Sequence, residues 1–209
     1  MKTILCFGDS NTWGYSPSEM RRYGVSERWT MLLQSHLAGK YRIIEEGLNS
    51  RTTVFEDPFE AGKNGLDYLL PCLGSHHPDL VVIMLGTNDL KSRYNVTASD
   101  ISKGAARLVE VVKNFKNNYM TKPPAVLLIS PAHVYELDNG KEGWDGAQAK
   151  SEQLAKYYAL RAEELGCHFL DAAAVVKPCD KEGIHWHLEE HQKLASKLSE
   201  LLPILLPLD

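Results

Sequence analysis

No stretch of this sequence stays apolar for long. None of its windows approaches the roughly 20 consecutive apolar residues that a membrane-spanning helix needs, so no membrane partner is expected. The N-terminal apolar run, Thr3 to Phe7, meets Asp9 almost at once and is shorter than a secretory h-region. Basic clusters are missing as well. The 23 Lys and Arg are outnumbered by 27 Asp and Glu, for a formal net charge of −4, and no basic stripe offers a footprint for nucleic acid. Cysteine is scarce and scattered. Cys6, Cys72, Cys167 and Cys179 make no C-x-x-C pair, which argues against a zinc ribbon or a disulfide framework and for a cytoplasmic location. Neither G-x-G-x-x-G nor a P-loop Gly-Lys-Ser/Thr occurs, so nothing in the sequence signals a cradle for phosphate or a dinucleotide cofactor.

What is present is ordinary for a folded protein. Of 209 residues, 44% are hydrophobic and 24% charged, enough to bury one sizeable core without staples, and one domain over residues 1–209 is expected. Apolar runs recur at Thr3–Phe7, Tyr41–Glu45, Leu80–Leu85, Ala125–Ile129 and Cys167–Leu170. Continuous runs of this length, rich in Val and Ile, suit strands buried on both faces. Helical spacing appears between them. Trp29, Leu32, Leu33, His36 and Leu37 form one stripe, after a cap at Ser26. Thr97 and Asp100 form a capping box ahead of Ile101, Ala105, Leu108, Val112 and Phe115. A further helix ends at Leu165, before Gly166. The last helix carries Leu188, His191, Leu194, Ala195, Leu198, Leu201 and Leu202, and Pro203 is expected to close it. Strand alternating with helix predicts a parallel sheet of about five strands covered on both faces. The stretches 16–23, 51–63, 91–96 and 132–148 read as loops, the last long enough for a lid or a contact between subunits.

In such a sheet, ligands bind at the carboxyl ends of the strands. Four polar segments fall there: Gly8-Asp9-Ser10-Asn11-Thr12-Trp13-Gly14, Gly47-Leu48-Asn49-Ser50-Arg51-Thr52-Thr53, Gly86-Thr87-Asn88-Asp89, and Glu182-Gly183-Ile184-His185-Trp186 just before the final helix. Each alone is common turn or capping chemistry. Together they supply what acyl transfer requires: a nucleophile, a base, a group to orient the base, and donors for an oxyanion.

These blocks, in this order and across nearly the whole chain, resemble the SGNH/GDSL hydrolase family. Within it, Gly8–Gly14, Glu45–Thr53 and Ile83–Lys91 are most similar to the bacterial arylesterase and acetylesterase branch. The resemblance implies a three-layer, flavodoxin-like α/β/α sandwich and a cofactor-free serine esterase acting on short acetyl or aryl esters. Carried over by position, it implies that Ser10 is the nucleophile and His185 its base. The oxyanion donors would be the backbone N–H groups of Ser10 and Ser50 and the side-chain amide of Asn88. Ser50 stands where the family has glycine. The family's orienting acid, an aspartate three residues before the histidine, is replaced here by Glu182, with Asp180 as the alternative.

Other readings of the residues stay open. His185, His187 and His191 have H-x-H-x-x-x-H spacing, which would suit a metal-assisted hydrolase, although no fourth ligand is obvious. A non-enzymatic flavodoxin-like binding module is the third possibility. Asp9, and the aromatic rings of Trp13 and Trp186 beside nucleophile and base, are expected to line the substrate pocket and to favour uncharged short acyl or aryl groups. Tyr135, Trp144, Phe55 and Phe59 are candidate contacts for a homo-oligomer, an assembly that the arylesterase resemblance also suggests.

Overall fold

In this computed structural model, residues 1–116, 118–120, 122–135 and 142–208 are described. The elements in chain order begin with β1 (Lys2–Gly8), a one-turn α1 (Ser10–Trp13), and a two-residue hairpin of β2 (Tyr15–Ser16) and β3 (Arg21–Arg22). Next come α2 (Trp29–His36), β4 (Tyr41–Gly47), α3 (Gly65–His76) and β5 (Leu80–Met84). The chain continues with α4 (Ala98–Asn114), β6 (Ala125–Ser130), α5 (Ala147–Leu165), β7 (His168–Asp171) and α6 (Leu188–Leu205). Five strands form one parallel sheet in the order β4-β1-β5-β6-β7.

Alternation along each central strand divides the core in two. Leu5 and Phe7 of β1, Val81 and Ile83 of β5, and Val126 and Leu128 of β6 pack under α3, α4 and α5. Their neighbours Ile4, Cys6, Leu80, Val82, Met84, Leu127 and Ile129 face α2 and α6 with Trp29, Leu33, Leu194 and Leu198. This is the expected three-layer sandwich, and every residue of β5 is buried. No helix among the described residues is long and apolar enough to cross a membrane.

Local signals hold at α4, where Thr97 and Asp100 close a capping box, and at α5, where Gly166 adopts the left-handed conformation just past the end. Elsewhere the structure departs from expectation. Arg28, not Ser26, precedes α2, and no side chain caps it. Instead the Glu27 carboxylate closes the preceding turn on the Gly24 N–H at 2.5 Å. His36 is exposed, so the α2 stripe is narrower than its spacing suggests. Pro203 lies inside α6, which continues to Leu205. So near the end its missing N–H removes a single hydrogen bond, while Leu202 and Leu206 stay buried in the core. Helix α3 has Leu66, Leu69 and Leu73 at helical spacing, but Pro71 and Gly74 interrupt its signature. The stretch 16–23 holds the small β2–β3 hairpin in place of a plain loop.

Candidate active site

The sheet order reverses direction between β1 and β5, and the crevice above that switch point is where such sheets bind ligands. Ser10 sits there as the first residue of α1, directly after β1. Asp9 caps the turn, its Oδ1 accepting from the Asn11 N–H at 2.9 Å. Two glycines let the turn close. A Cβ on Gly8 would collide with the Thr12 side chain, and one on Gly47 would run into the Trp13 backbone nitrogen. The nucleophile turn is therefore clamped against the ends of β1 and β4.

His185 arrives from the segment before α6. Its Nε2 lies 2.8 Å from Ser10 Oγ and its Nδ1 lies 2.6 Å from Glu182 Oε1. The other carboxylate oxygen of Glu182 accepts the backbone N–H groups of His185 at 2.7 Å and Ile184 at 3.2 Å. Gly183, at φ +77°, makes this tight reversal possible; a side chain there would strike the Tyr135 carbonyl. The longer acid is thus accommodated by folding its own backbone over it. Asp180 is exposed and makes no bond to His185. Tyr15 packs on the imidazole with ring centroids 4.4 Å apart.

Opposite Ser10, the loops after β4 and β5 are laced together. Asn88 Nδ2 donates to the Arg51 carbonyl at 3.1 Å, which leaves its second amide hydrogen. Arg51 is itself buried, its Nη1 donating to the carbonyls of Gly8 and Glu46 while its guanidinium lies 4.2 Å from the Phe7 ring centre. Asp89, fully buried, accepts the Thr53 N–H at 3.0 Å and the Thr53 hydroxyl. Burial pushes its carboxyl up to about 6, with those bonds pulling the other way. Ser50 takes φ +65°, a left-handed conformation that glycine adopts without strain, which accounts for glycine at the equivalent family position. Among the described residues, the backbone N–H groups of Ser10 and Ser50 donate to no protein acceptor.

Ser10, Ser50, Asn88 and His185 line one cavity of about 280 Å³, with Tyr15, Asn49, Lys91, Arg93, Trp144 and Ile184. Asp9, Trp13 and Trp186 are not part of that lining, which corrects the expectation for all three. Asp9 is 1% exposed and spent on its cap. Burial pushes its carboxyl up, against the Asn11 N–H, the Thr87 hydroxyl and the nearby His185 and Arg51 charges. Trp186 is fully buried against His191 in the α2–α6 layer. Trp13 lies under the Arg22 guanidinium, 5.2 Å from its ring centre. Nor is the lining mainly apolar. Lys91 and Arg93 bring cationic side chains that the motif blocks gave no reason to place there, since they follow the Gly-Thr-Asn-Asp turn without a spacing signal. Of the loop aromatics, Trp144 reaches the cavity; part of its loop, residues 136–141, lies outside the described residues.

The three histidines do not converge. His185 is engaged with Ser10 and Glu182, and His187 is the residue before α6. His191 is buried, its Nδ1 accepting from the Trp29 N–H at 3.3 Å. Burial, with the His185 charge acting the same way, pushes its imidazole down to about 3. Among the described residues no group of three His, Cys, Asp or Glu is arranged to hold a metal.

A parallel sheet carrying a Ser–His–Glu line over its switch point defines a hydrolase of the α/β/α class. The GDSL-like Lipase/Acylhydrolase family matches residues 6–192; the chain belongs to this family, and with it to the carboxylic ester hydrolases. A carbohydrate acetylesterase family member from Sinorhizobium meliloti has a similar structure, with TM-score 0.95, 35% identity and full coverage of both chains. The aryl esterase of M. smegmatis has TM-score 0.93 and 37% identity, over 99% of this chain and 100% of that one. An acetylxylan esterase from Xylanibacter ruminicola is 25% identical over 220 residues. That match takes in 95% of this chain but only 42% of the length of that relative.

Proposed function

We propose that the chain is a serine esterase that removes short acyl groups, acetyl above all, through an acyl-enzyme intermediate. The observation that carries the reading is the hydrogen-bonded line from Ser10 Oγ through His185 to Glu182, at 2.8 and 2.6 Å. A serine hydroxyl is a weak nucleophile until a base takes its proton. His185 Nε2 is in hydrogen-bonding reach of that proton, and Glu182 fixes the tautomer by accepting from Nδ1. It also stabilises the imidazolium that forms as Ser10 attacks the carbonyl carbon. The developing oxyanion would be met by the Ser10 and Ser50 N–H groups, which donate to no protein acceptor among the described residues, and by the second amide hydrogen of Asn88. Donors aimed at developing charge in a shielded cleft contribute about 3–4 kcal/mol each. His185 then returns its proton to the leaving alcohol. In the second half-reaction it deprotonates a water that attacks the acyl-enzyme, releasing the acid and restoring Ser10.

A cavity of about 280 Å³ supports a small substrate, and the acetylesterase and arylesterase titles of the similar proteins support acetyl or aryl esters. The test is a panel of para-nitrophenyl esters of increasing acyl length, with the wild type and Ser10→Ala. Turnover highest for acetate and absent in the variant is expected. A wild type inactive on every chain length, or a variant that keeps its activity, overturns the reading.

A further inference from the structure

The charge lining the cavity bears on substrate choice, an inference that rests on the esterase reading above. Lys91 and Arg93 both line the cavity that holds Ser10 and His185. No carboxylate side chain is among its described lining residues. Lys91 is 7% exposed and so lies within the wall, its Nζ 5.8 Å from the ring centre of Trp144, another lining residue. Arg93 is fixed from behind: its Nη1 meets both oxygens of Asp57 at 3.3 and 3.4 Å, and Phe59 lies 4.9 Å beneath its guanidinium. Asp57 is in turn held by the Tyr94 hydroxyl at 2.8 Å. Only Nη1 of Arg93 takes part in those bonds, so Nε and Nη2 keep donors in the fork geometry that suits a carboxylate. Two acids stand near. Asp57 has a fully buried side chain behind Arg93, and Glu60 reaches Ser50 Oγ from outside while paired with Lys63 at 3.3 Å. Neither lines the cavity. A pocket built for purely neutral acetyl or aryl groups has no use for two cations in its wall, one of them buttressed by an ion pair.

We propose that Lys91 and Arg93 form an anion subsite, so that the preferred substrates are short-chain esters bearing a carboxylate on the acyl or the alcohol portion. A charge-assisted bond to such a group favours the bound substrate by roughly ten- to a hundredfold. It acts at a wall of the cavity and not at the scissile bond, so it belongs in kcat/KM.

The test compares matched pairs on the full chain. para-Acetoxybenzoate against para-acetoxybenzamide places the charge on the alcohol. Monoethyl glutarate against ethyl butanoate places it on the acyl group. In at least one pair the wild type is expected to prefer the anion by about tenfold or more at low ionic strength, and raised salt should shrink that ratio. Lys91→Gln should collapse the ratio and Lys91→Arg should restore it, and the ratio is independent of how much active enzyme each preparation contains. A ratio near one in both pairs, or one unmoved by salt and by Lys91→Gln, overturns the anion subsite. The esterase reading would survive that outcome, because hydrolysis of the neutral members by wild type but not by Ser10→Ala tests it separately.

Discussion

Replacing Glu182 by Gln probes the least expected part of the site, the glutamate that takes an aspartate's place. In the wild type one carboxylate oxygen holds the backbone N–H groups of Ile184 and His185, and the other accepts from His185 Nδ1. A glutamine has only one acceptor oxygen. If that oxygen keeps the backbone turn, the amide NH2 faces Nδ1, and the imidazole must carry its proton on Nε2, against Ser10. A base in that tautomer cannot take the serine proton. The imidazolium formed during attack also loses a negative charge about 4 Å away, an interaction of about 4 kcal/mol at an effective dielectric of 20, or roughly 10³-fold in rate. Adding the tautomer effect, kcat on para-nitrophenyl acetate should fall about 10³- to 10⁴-fold, with KM little changed. Asp180→Asn, on an exposed side chain, should stay within about twofold, as expected for a surface change away from special features. Thermal unfolding of both variants checks that the turn has survived. Glu182→Gln retaining a tenth of wild-type kcat, or Asp180→Asn losing activity, would refute the assignment.

Asn88→Ala should lower kcat about 10²- to 10³-fold; steady-state kinetics showing a loss under threefold would remove Asn88 from the oxyanion site. Ser50→Gly should keep activity within about threefold, since the proposed contact is a backbone N–H. Its stability should lie within about 1 kcal/mol of wild type, because relief at φ +65° offsets the added freedom of the unfolded chain. Urea denaturation with parallel rate measurements checks both. His191 supplies a pH test. Its folded imidazole sits near 3 and its unfolded one near 6.5, so the unfolded state binds the extra proton between those values. Stability should therefore fall on acidification through that window, by up to about 1.4 kcal/mol per pH unit. Urea curves at pH 7 and pH 5 should show a smaller drop for His191→Gln than for wild type, and equal drops would contradict the assignment.

Much of this fold is legible because its signals are local. The five apolar runs match the five strands to within two residues at each end, and the capping box of α4 and the left-handed Gly166 fall where they are read. The illegible parts depend on distant partners. Pro203 reads as a stop, yet buried Leu202 and Leu206 hold α6 through it. Pro71 and Gly74 obscure a helix that Leu69 and Leu73 anchor to the core. At the site, Ser10, His185, Glu182, Ser50 and Asn88 are found from short motifs, and the structure brings them around one cavity. The choice of Glu182 over Asp180 needed the third dimension, since it turns on the backbone reversal at Gly183. Proximity in sequence misleads for Trp13 and Trp186, whose rings turn to Arg22 and to the core. Lys91, Arg93 and Trp144 carry no motif, and only the meeting of two loops places them together.

The central claim is that Ser10 is an activated nucleophile, and covalent trapping tests it most directly. Wild type treated with diethyl para-nitrophenyl phosphate should gain one diethylphosphoryl group, mapped to Ser10 by peptide mass spectrometry, and lose esterase activity in step with labelling. Ser10→Ala should remain unlabelled. Full activity in unlabelled wild type, or stoichiometric labelling at any other residue, would contradict the account.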